Sequence, residues 1–292
     1  MQQISLRKYI WRIFSPLILQ TVVAFLVEAI IIGIYTVIRL PEYKGAITTS
    51  EQMIEFSAQI TNELYRYITE ISAIAALVAI PFLGLMIYKD RKNAKKMGII
   101  PNKKANLFQY SYIIGISIAL SLGLNNILLL SNLAEYSESY QETATILYAP
   151  AFPVQILCVG IIIPIMEEMV FRGLVYKRMK ESKSMFYALL TSSVLFGVYH
   201  GNSVQFIYAL LTGVMLGYLY EKYGSLKAPI LAHMLMNIVS CVLTKADVFT
   251  WIFSNMARMA TITIGCAAVG STMFVMIRGI NEKTDTKDEE KL

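Results

Sequence analysis

Long apolar runs constrain this chain more than any other feature of its sequence. The first, about Pro16–Ile38, is long enough by itself to cross the roughly 30 Å hydrocarbon core of a bilayer as a helix. A backbone in lipid must satisfy its own hydrogen bonds, so each run is expected to be helical. With 56% hydrophobic and 16% charged residues, the chain also lies outside the range of soluble domains. We therefore predict an all-α, polytopic integral membrane protein with about eight transmembrane helices. The second and third are about Ile71–Tyr88 and Leu107–Leu130, and the fourth starts near Ala151 and runs into Arg172 and the bases that follow it. The last four are about Met185–His200, Val204–Tyr220, Pro229–Leu243 and Arg258–Ile277.

The charged residues indicate how these helices are oriented. The net charge is +6, but the lysines and arginines cluster in alternate loops, which is a topology signal rather than a sign of nucleic-acid binding. Bases precede the first run and fill the loop after the second, whereas the loop at 131–150 contains glutamates and no base. We therefore expect both termini to be cytoplasmic.

The chain is expected to form a single transmembrane domain over residues 1–292, without an internal repeat or a separate soluble domain. The first run has the length of a retained span rather than of a cleavable signal peptide. The charged residues 281–292 are expected to be a disordered cytoplasmic tail. Cys158, Cys241 and Cys266 are odd in number and lie in apolar runs, so we predict packing residues and no disulfide framework.

Small and amide residues suggest how the helices pack. Gly197-x-x-x-Gly201 and Gly213-x-x-x-Gly217 place small residues on one helix face, which allows close helix packing in lipid. The neighbouring amides Asn125 and Asn126 are interpreted as interhelical hydrogen-bond partners rather than as site residues.

A pair of carboxylates ends the fourth run, with Arg172 one helical turn later. Ionisable groups inside a membrane are costly and usually functional. Glu168 and Arg172 have the spacing and order favoured for an ion pair, so we expect Arg172 to hold Glu168 ionised. Glu167 lies about 100° round the helix from Glu168. It is therefore free to face a cavity, where it could act as a general base. Pro164 removes a backbone hydrogen bond and is expected to turn the acids inward.

The chain has only two histidines, and each has a distinctive residue four positions away. Phe196 precedes His200 on one helical face, and His233 precedes Asn237 on another. An imidazole and an amide can donate to the same developing negative charge, as an oxyanion site requires.

Taken singly, the acids could be interfacial charges that snorkel, and each histidine could be structural. Three such elements, which include every histidine, favour one shared site.

In this order and spacing, Glu167-Glu168-x-x-x-Arg172, Phe196-x-x-x-His200 and His233-x-x-x-Asn237 resemble the CPBP family of intramembrane proteases. That family includes the type II CAAX prenyl endopeptidases and the Abi bacteriocin-immunity proteins. Gly173 and the Gly224-Ser225-Leu226 stretch are also similar to the family. The resemblance covers about residues 150–243, the expected catalytic core, and the first three runs carry no signature.

The resemblance implies an endopeptidase that hydrolyses peptide bonds of a membrane-associated or peptide substrate. Glu167 would activate water with help from His200, while His233 and Asn237 would stabilise the oxyanion. The implied catalytic set is Glu167, Glu168, His200, His233 and Asn237, supported structurally by Arg172 and Phe196.

Metal dependence is a separate question. A zinc ion held by Glu167, His200 and His233 is chemically feasible, with water in the open position. We favour a metal-independent mechanism without a cofactor, because an amide such as Asn237 is a poor zinc ligand.

One difficulty concerns depth. Glu167 and His233 lie nearer the cytoplasmic ends of their predicted spans, whereas His200 lies at the far end of the fifth. Either the helix that ends at His200 begins deeper in the membrane, or the basic segment after Arg172 continues as helix inside the headgroup layer.

Two other function classes remain open. A non-enzymatic bacteriocin-immunity or scaffold membrane protein would bind a partner without hydrolysis. A small transporter would use the carboxylates as proton sites, although the absence of a repeat counts against it. The expected partners are a peptide or membrane-protein substrate and membrane lipid, with no nucleic acid.

Overall fold

The structure, a computed structural model, describes residues 5–43 and 47–280. All regular structure in these residues is helical, which confirms the all-α class. The predicted tail at 281–292 lies outside the described residues. The helices, numbered in chain order, are α1 (Leu6–Arg39), α2 (Ser50–Tyr65), α3 (Ile68–Lys96), α4 (Ser111–Leu130), α5 (Leu133–Tyr136), α6 (Glu138–Tyr148), α7 (Phe152–Lys180), α8 (Met185–Tyr199), α9 (Ser203–Tyr223), α10 (Lys227–Lys245), α11 (Val248–Phe253) and α12 (Met256–Arg278).

Seven helices in the described residues have the length and apolar composition of membrane spans, namely α1, α3, α4, α7, α9, α10 and α12. The protein is therefore a multi-pass membrane protein. The remaining predicted span, α8, has 15 residues and a length of about 22 Å. The helix begins after its N-cap residue, Ser184, and ends before Gly201, whose φ is +78°. This left-handed glycine stops α8 short of a full crossing.

Helix α7 lies at the centre of the bundle. It packs against α1, α3, α8, α9 and α10, whereas α1 and α12 leave most of their apolar surface exposed, as lipid-facing helices do. The largest buried apolar cluster joins α7 to side chains from all the other spanning helices and α8. The acid pair of α7 is therefore surrounded by protein on several sides.

The depth difficulty is resolved by the length of α7. The helix continues through the basic segment to Lys180, and Val170–Tyr176 are buried. Of the two expectations, the continuation of the segment after Arg172 as helix is therefore observed, and hydropathy alone does not reveal that its arginine is buried and paired. Glu167 lies about 20 Å from the Lys180 end, and His200 lies about 22 Å from the start of α8. A tight turn joins these two ends, so both residues reach a similar depth.

Two segments that the sequence indicated only as acidic loops contain helices. Helix α2 starts with a capping box between Thr49 and Gln52 and packs Phe56 and Ile60 against α1. Helix α6 starts after the N-cap of Ser137. Both helices lie at the end of the bundle opposite the basic loops.

The basic end is fixed by paired charges. Arg178 Nε lies 2.6 Å from Asp90 Oδ2. Glu221 is buried and binds Lys180, Asn102 and Tyr176. These contacts tie the ends of α3, α7 and α9 together, so part of the basic sequence that indicated topology also serves tertiary structure.

The predicted close packing of small residues occurs between α8 and α9. A Cβ on Gly217 would clash with Leu189 Cδ1, and one on Gly197 would lie 2.9 Å from the backbone oxygen of Phe206. Gly201 plays no such part, because nothing lies within 4 Å of its Cβ position. The three cysteines are free, as expected.

Candidate active site

Glu168 is fully buried and binds two cationic or potentially cationic partners through one oxygen. Its Oε1 lies 2.6 Å from Arg172 Nη1 and 2.9 Å from His233 Nδ1. The other terminal nitrogen of Arg172 donates to the carbonyl of Gly213 at 3.0 Å. The predicted ion pair between Glu168 and Arg172 is therefore present, and it also orients His233. Interfacial snorkelling is wrong for this pair, because the two side chains are 0% and 1% exposed.

Glu167 has a different environment from its neighbour. Its Oε2 lies 3.7 Å from His233 Nε2, which is longer than a hydrogen bond. The residue is buried but contributes to the wall of a cavity. The imidazole of His233 thus lies between two carboxylates, bound to Glu168 and close to Glu167.

His200 is held by the last turn of α8. Its Nδ1 lies 2.8 Å from the backbone oxygen of Phe196, one of the carbonyls that a helix end leaves without a backbone donor. A proton on Nδ1 satisfies this carbonyl, which leaves the lone pair of a neutral imidazole on Nε2.

Phe196 supports three groups of the site. Its ring centroid lies 4.8 Å from the ring of His200 and 5.7 Å from that of His233, both edge-on. The guanidinium of Arg172 lies over the same ring at 4.5 Å. Phe196 therefore fixes the spacing between the two imidazoles.

Asn237 has a structural partner that the sequence did not predict. Its Nδ2 donates to the carbonyl of Val159 at 2.9 Å. Val159 lies in a π-helical segment of α7, Cys158–Ile162, where Ile163 N–H binds the Cys158 carbonyl. The donor five positions after Val159 would be Pro164, which has no N–H. The proline therefore leaves a carbonyl that Asn237 satisfies, and a second amide hydrogen of Asn237 remains for other acceptors.

Glu167, His200, His233 and Asn237 all line one cavity of about 220 Å³. It lies among α7, α8, α9 and α10, with α4 and α6 completing the wall. Phe196 also lines it, whereas Glu168 and Arg172 lie behind the wall. The structure thus brings together the residues selected from three separate motifs.

Part of the chain is similar to known proteins. Residues 149–239 match the family model described as "Type II CAAX prenyl endopeptidase Rce1-like". This segment contains the acid pair, both histidines and Asn237. The match makes this segment similar to the CPBP/CAAX-type family. The match agrees closely with residues 150–243, where the motifs predicted it.

The chain is also similar to a curated bacterial protein. The Bacillus subtilis (strain 168) protein named "Putative membrane peptidase YdiL" is 28% identical over 128 residues. The alignment covers 44% of this chain and 52% of that protein, so the chain matches about half the length of this relative. No solved structure matches the chain.

Part of the cavity lies outside the segment that matches the family model. Asn125 on α4 and Tyr140 and Tyr148 on α6 line it. Asn125 was set aside as an interhelical residue, and it does contact α10, but it also faces the cavity. Asn126 is only interhelical, donating to Thr263 Oγ1 at 3.3 Å. The tyrosines gave no signal, because a loop with no spanning helix does not reveal what it covers.

Among the described residues, the side chains of the candidate active site do not form a zinc-binding cluster. No group of three His, Cys, Asp or Glu side chains that could hold one metal ion occurs in residues 5–43 and 47–280. Structural and catalytic zinc sites need three or four convergent protein ligands. In the described residues, Glu167, His200 and His233 do not form such a group.

Proposed function

We propose that this protein is an intramembrane endopeptidase that hydrolyses peptide bonds of a membrane-associated or peptide substrate. The observation that carries the proposal is the shared cavity, in which a carboxylate without a strong partner lies with two imidazoles and an amide. The family of residues 149–239 and the name of the Bacillus subtilis relative support a membrane protease.

Glu167 is the proposed general base. Its carboxylate takes a proton from a water molecule while the water oxygen bonds to the substrate carbonyl carbon. His200 Nε2, which is an acceptor when Nδ1–H binds Phe196, accepts a hydrogen bond from the same water and orients it. The tetrahedral intermediate then breaks its C–N bond, and the proton held by Glu167 passes to the leaving nitrogen.

His233 and Asn237 are the proposed oxyanion donors. When His233 Nδ1–H binds Glu168, Nε2 can donate only if the ring is an imidazolium. The two carboxylates balance the charges of Arg172 and that imidazolium, which makes this form compatible with burial. The second amide hydrogen of Asn237 supplies the other donor. Electrostatic stabilisation of this kind is often the largest contribution to acyl-transfer catalysis.

Hydrolysis is tested with the purified full-length protein in proteoliposomes and a randomised synthetic peptide library, with products identified by mass spectrometry. Wild-type protein should cleave a subset of the library, and Glu167→Gln should lower the rate by about 10²–10⁴-fold, as loss of a general base does. Equal cleavage by the two proteins would refute the proposed role of Glu167. A thermal unfolding curve checks that the variant is folded.

The immunity or scaffold alternative makes the opposite prediction in cells. A non-enzymatic protein should keep its biological activity in the Glu167→Gln and His200→Ala variants, because binding does not require water activation. Membrane peptides that accumulate only with Glu167→Gln would support hydrolysis and identify substrates.

We also propose that both termini are cytoplasmic. The support is the positive charge of the loops at 89–104 and 177–183, which lie at one end of the bundle. This orientation is tested by fusing to each terminus one reporter that is active only in the cytoplasm and one that is active only outside it. Both termini should activate the cytoplasmic reporter alone.

A further inference from the structure

One wall of the cavity is polar but carries no charged group. We call Asn125, Tyr208 and Ser240 the polar wall; they come from α4, α9 and α10 and all line the cavity. Behind the wall, Ser121 Oγ lies 2.9 Å from Ser240 Oγ and 3.2 Å from the Met236 carbonyl. Tyr208 places its hydroxyl beside Ser240. Polar side chains on three adjacent helices are thus held together at a cavity surface.

The hydrogen bonds of Asn125 determine which of its atoms is available. Its Nδ2 donates to the Ser121 carbonyl at 2.7 Å and lies 3.5 Å from Ser240 Oγ. These contacts fix the amide orientation, since a flipped amide would set Oδ1 against the carbonyl. No donor among the described residues contacts Asn125 Oδ1, so this oxygen remains an acceptor on a residue that faces the cavity.

The charges around the cavity restrict what can bind there. Glu167, His200 and His233 are the only acidic or basic side chains in its described wall, and no lysine or arginine lines it. Burial raises the pKa of Tyr148 to about 12 and also raises the pKa of Tyr140, so both phenols are neutral near pH 7. A substrate carboxylate or ammonium beside the polar wall would lose its hydration without a counter-ion, which is costly.

We propose that the polar wall is a substrate-binding subsite for the main chain of an extended peptide whose residues there are uncharged. Asn125 Oδ1 accepts a peptide N–H, and the hydroxyls of Tyr208 and Ser240 bind a neighbouring amide or carbonyl. This inference rests on the proposed function and adds to it the class of substrate: a peptide cleaved within an uncharged segment, without capture of a terminal carboxylate by a basic residue.

The peptide main chain suits this wall for a physical reason. Each peptide unit brings one strong donor and one strong acceptor, which must be satisfied when they leave water. A purely apolar cavity would leave them unpaired, at the cost of the desolvation of each group. The polar wall offers an acceptor and hydroxyls without introducing a charge.

The test uses the full-length protein and the same randomised peptide library. For the best-cleaved library peptide, Asn125→Leu should raise KM about tenfold and leave kcat within about twofold, the effect of losing roughly one hydrogen bond. Asn125→Asp should add peptides with lysine or arginine near the cleaved bond to the product list, because it places a carboxylate in the subsite. The matched control is Asn126→Leu, which removes the adjacent amide of α4 and should leave KM unchanged.

Peptide retention separates this inference from the proposed function. Library peptides that co-purify with Glu167→Gln are compared with those that co-purify with Glu167→Gln/Asn125→Leu. Reduced retention in the double variant supports the subsite, even if the wild-type protein cleaves nothing and the hydrolytic mechanism is refuted. Unchanged KM, retention and charge preference in the Asn125 variants, with thermal unfolding as in wild type, would overturn the subsite alone. If Asn125→Leu fails to fold, Ser240→Ala and Tyr208→Phe provide the same comparison.

Discussion

Nδ1 of His233 lies 2.9 Å from Oε1 of Glu168, although the two residues belong to different motifs of the sequence. The same oxygen binds Arg172. The adjacent acids of α7 therefore divide their tasks: Glu168 orients an imidazole from behind the cavity wall, and Glu167 faces the cavity.

The buried ion pair should be a major source of stability. Glu168→Gln leaves Arg172 as an uncompensated buried charge, and we expect the free energy of unfolding to fall by about 3–5 kcal/mol. Chemical unfolding in detergent measures this change. Glu42→Gln is the control, since its pair with Arg39 is exposed and should contribute less than about 1 kcal/mol. Equal losses in the two variants would contradict the prediction.

Phe196 should matter for both stability and catalysis. Phe196→Leu removes a desolvated cation–π contact with Arg172, with an expected cost of about 2 kcal/mol. It also removes the ring that separates the two imidazoles, so the rate of peptide hydrolysis should fall more than stability alone explains. The control on the same helix is Phe186→Leu, because Phe186 is 74% exposed and its loss should change neither quantity. A wild-type rate in Phe196→Leu would argue against the positioning role.

Close packing of α8 and α9 should tolerate no added methyl group at Gly197. The new Cβ would lie 2.8 Å from Phe206 Cδ2 and 2.9 Å from its backbone oxygen, so Gly197→Ala should cost about 1–3 kcal/mol. Gly265 has nothing within 4 Å of its Cβ position. Gly265→Ala in α12 should instead stabilise the helix by about 0.5–1 kcal/mol. Thermal unfolding should therefore show a lower melting temperature for Gly197→Ala and a higher one for Gly265→Ala than for the wild-type protein.

Asn237 and Pro164 should be coupled through the carbonyl of Val159. Asn237→Ala leaves that buried acceptor unpaired and should cost about 1–3 kcal/mol. In a Pro164→Ala background, residue 164 gains an N–H five positions after Val159, so the same substitution should cost less. A double-mutant cycle of unfolding free energies measures the difference. Additive effects would show that the proline and the amide do not share this carbonyl.

Alkaline stability should depend on Tyr148. Burial raises its pKa from 10.0 to about 12, so the folded protein holds the phenolic proton more tightly than the unfolded chain does. The associated stability is complete below about pH 10 and is lost as pH rises toward about 12. Tyr148→Phe should therefore show a smaller decrease in melting temperature between pH 10 and pH 12. An equal decrease in the variant and the wild-type protein would contradict the contribution of Tyr148 to alkaline unfolding.

The sequence by itself determined the membrane class, the helical fold and the segment that matches the CPBP/CAAX-type family. It also distinguished Glu167 from Glu168. These features depend on local patterns: the length of an apolar run reflects the thickness of a bilayer, and residues four apart share a helix face. Such patterns are readable without knowing which helices are neighbours.

Only the tertiary structure decided how far α7 extends, which helices close the cavity and what Asn237 binds. Hydropathy treats Arg172 and Arg178 as the end of a span, because it counts charges and not their partners. Asn125, Tyr140 and Tyr148 lie outside the recognisable segment, and no local pattern shows that α4 and α6 face the site. These properties come from contacts between distant helices, and their free energy depends on packing and pairing that exist only once the bundle has assembled.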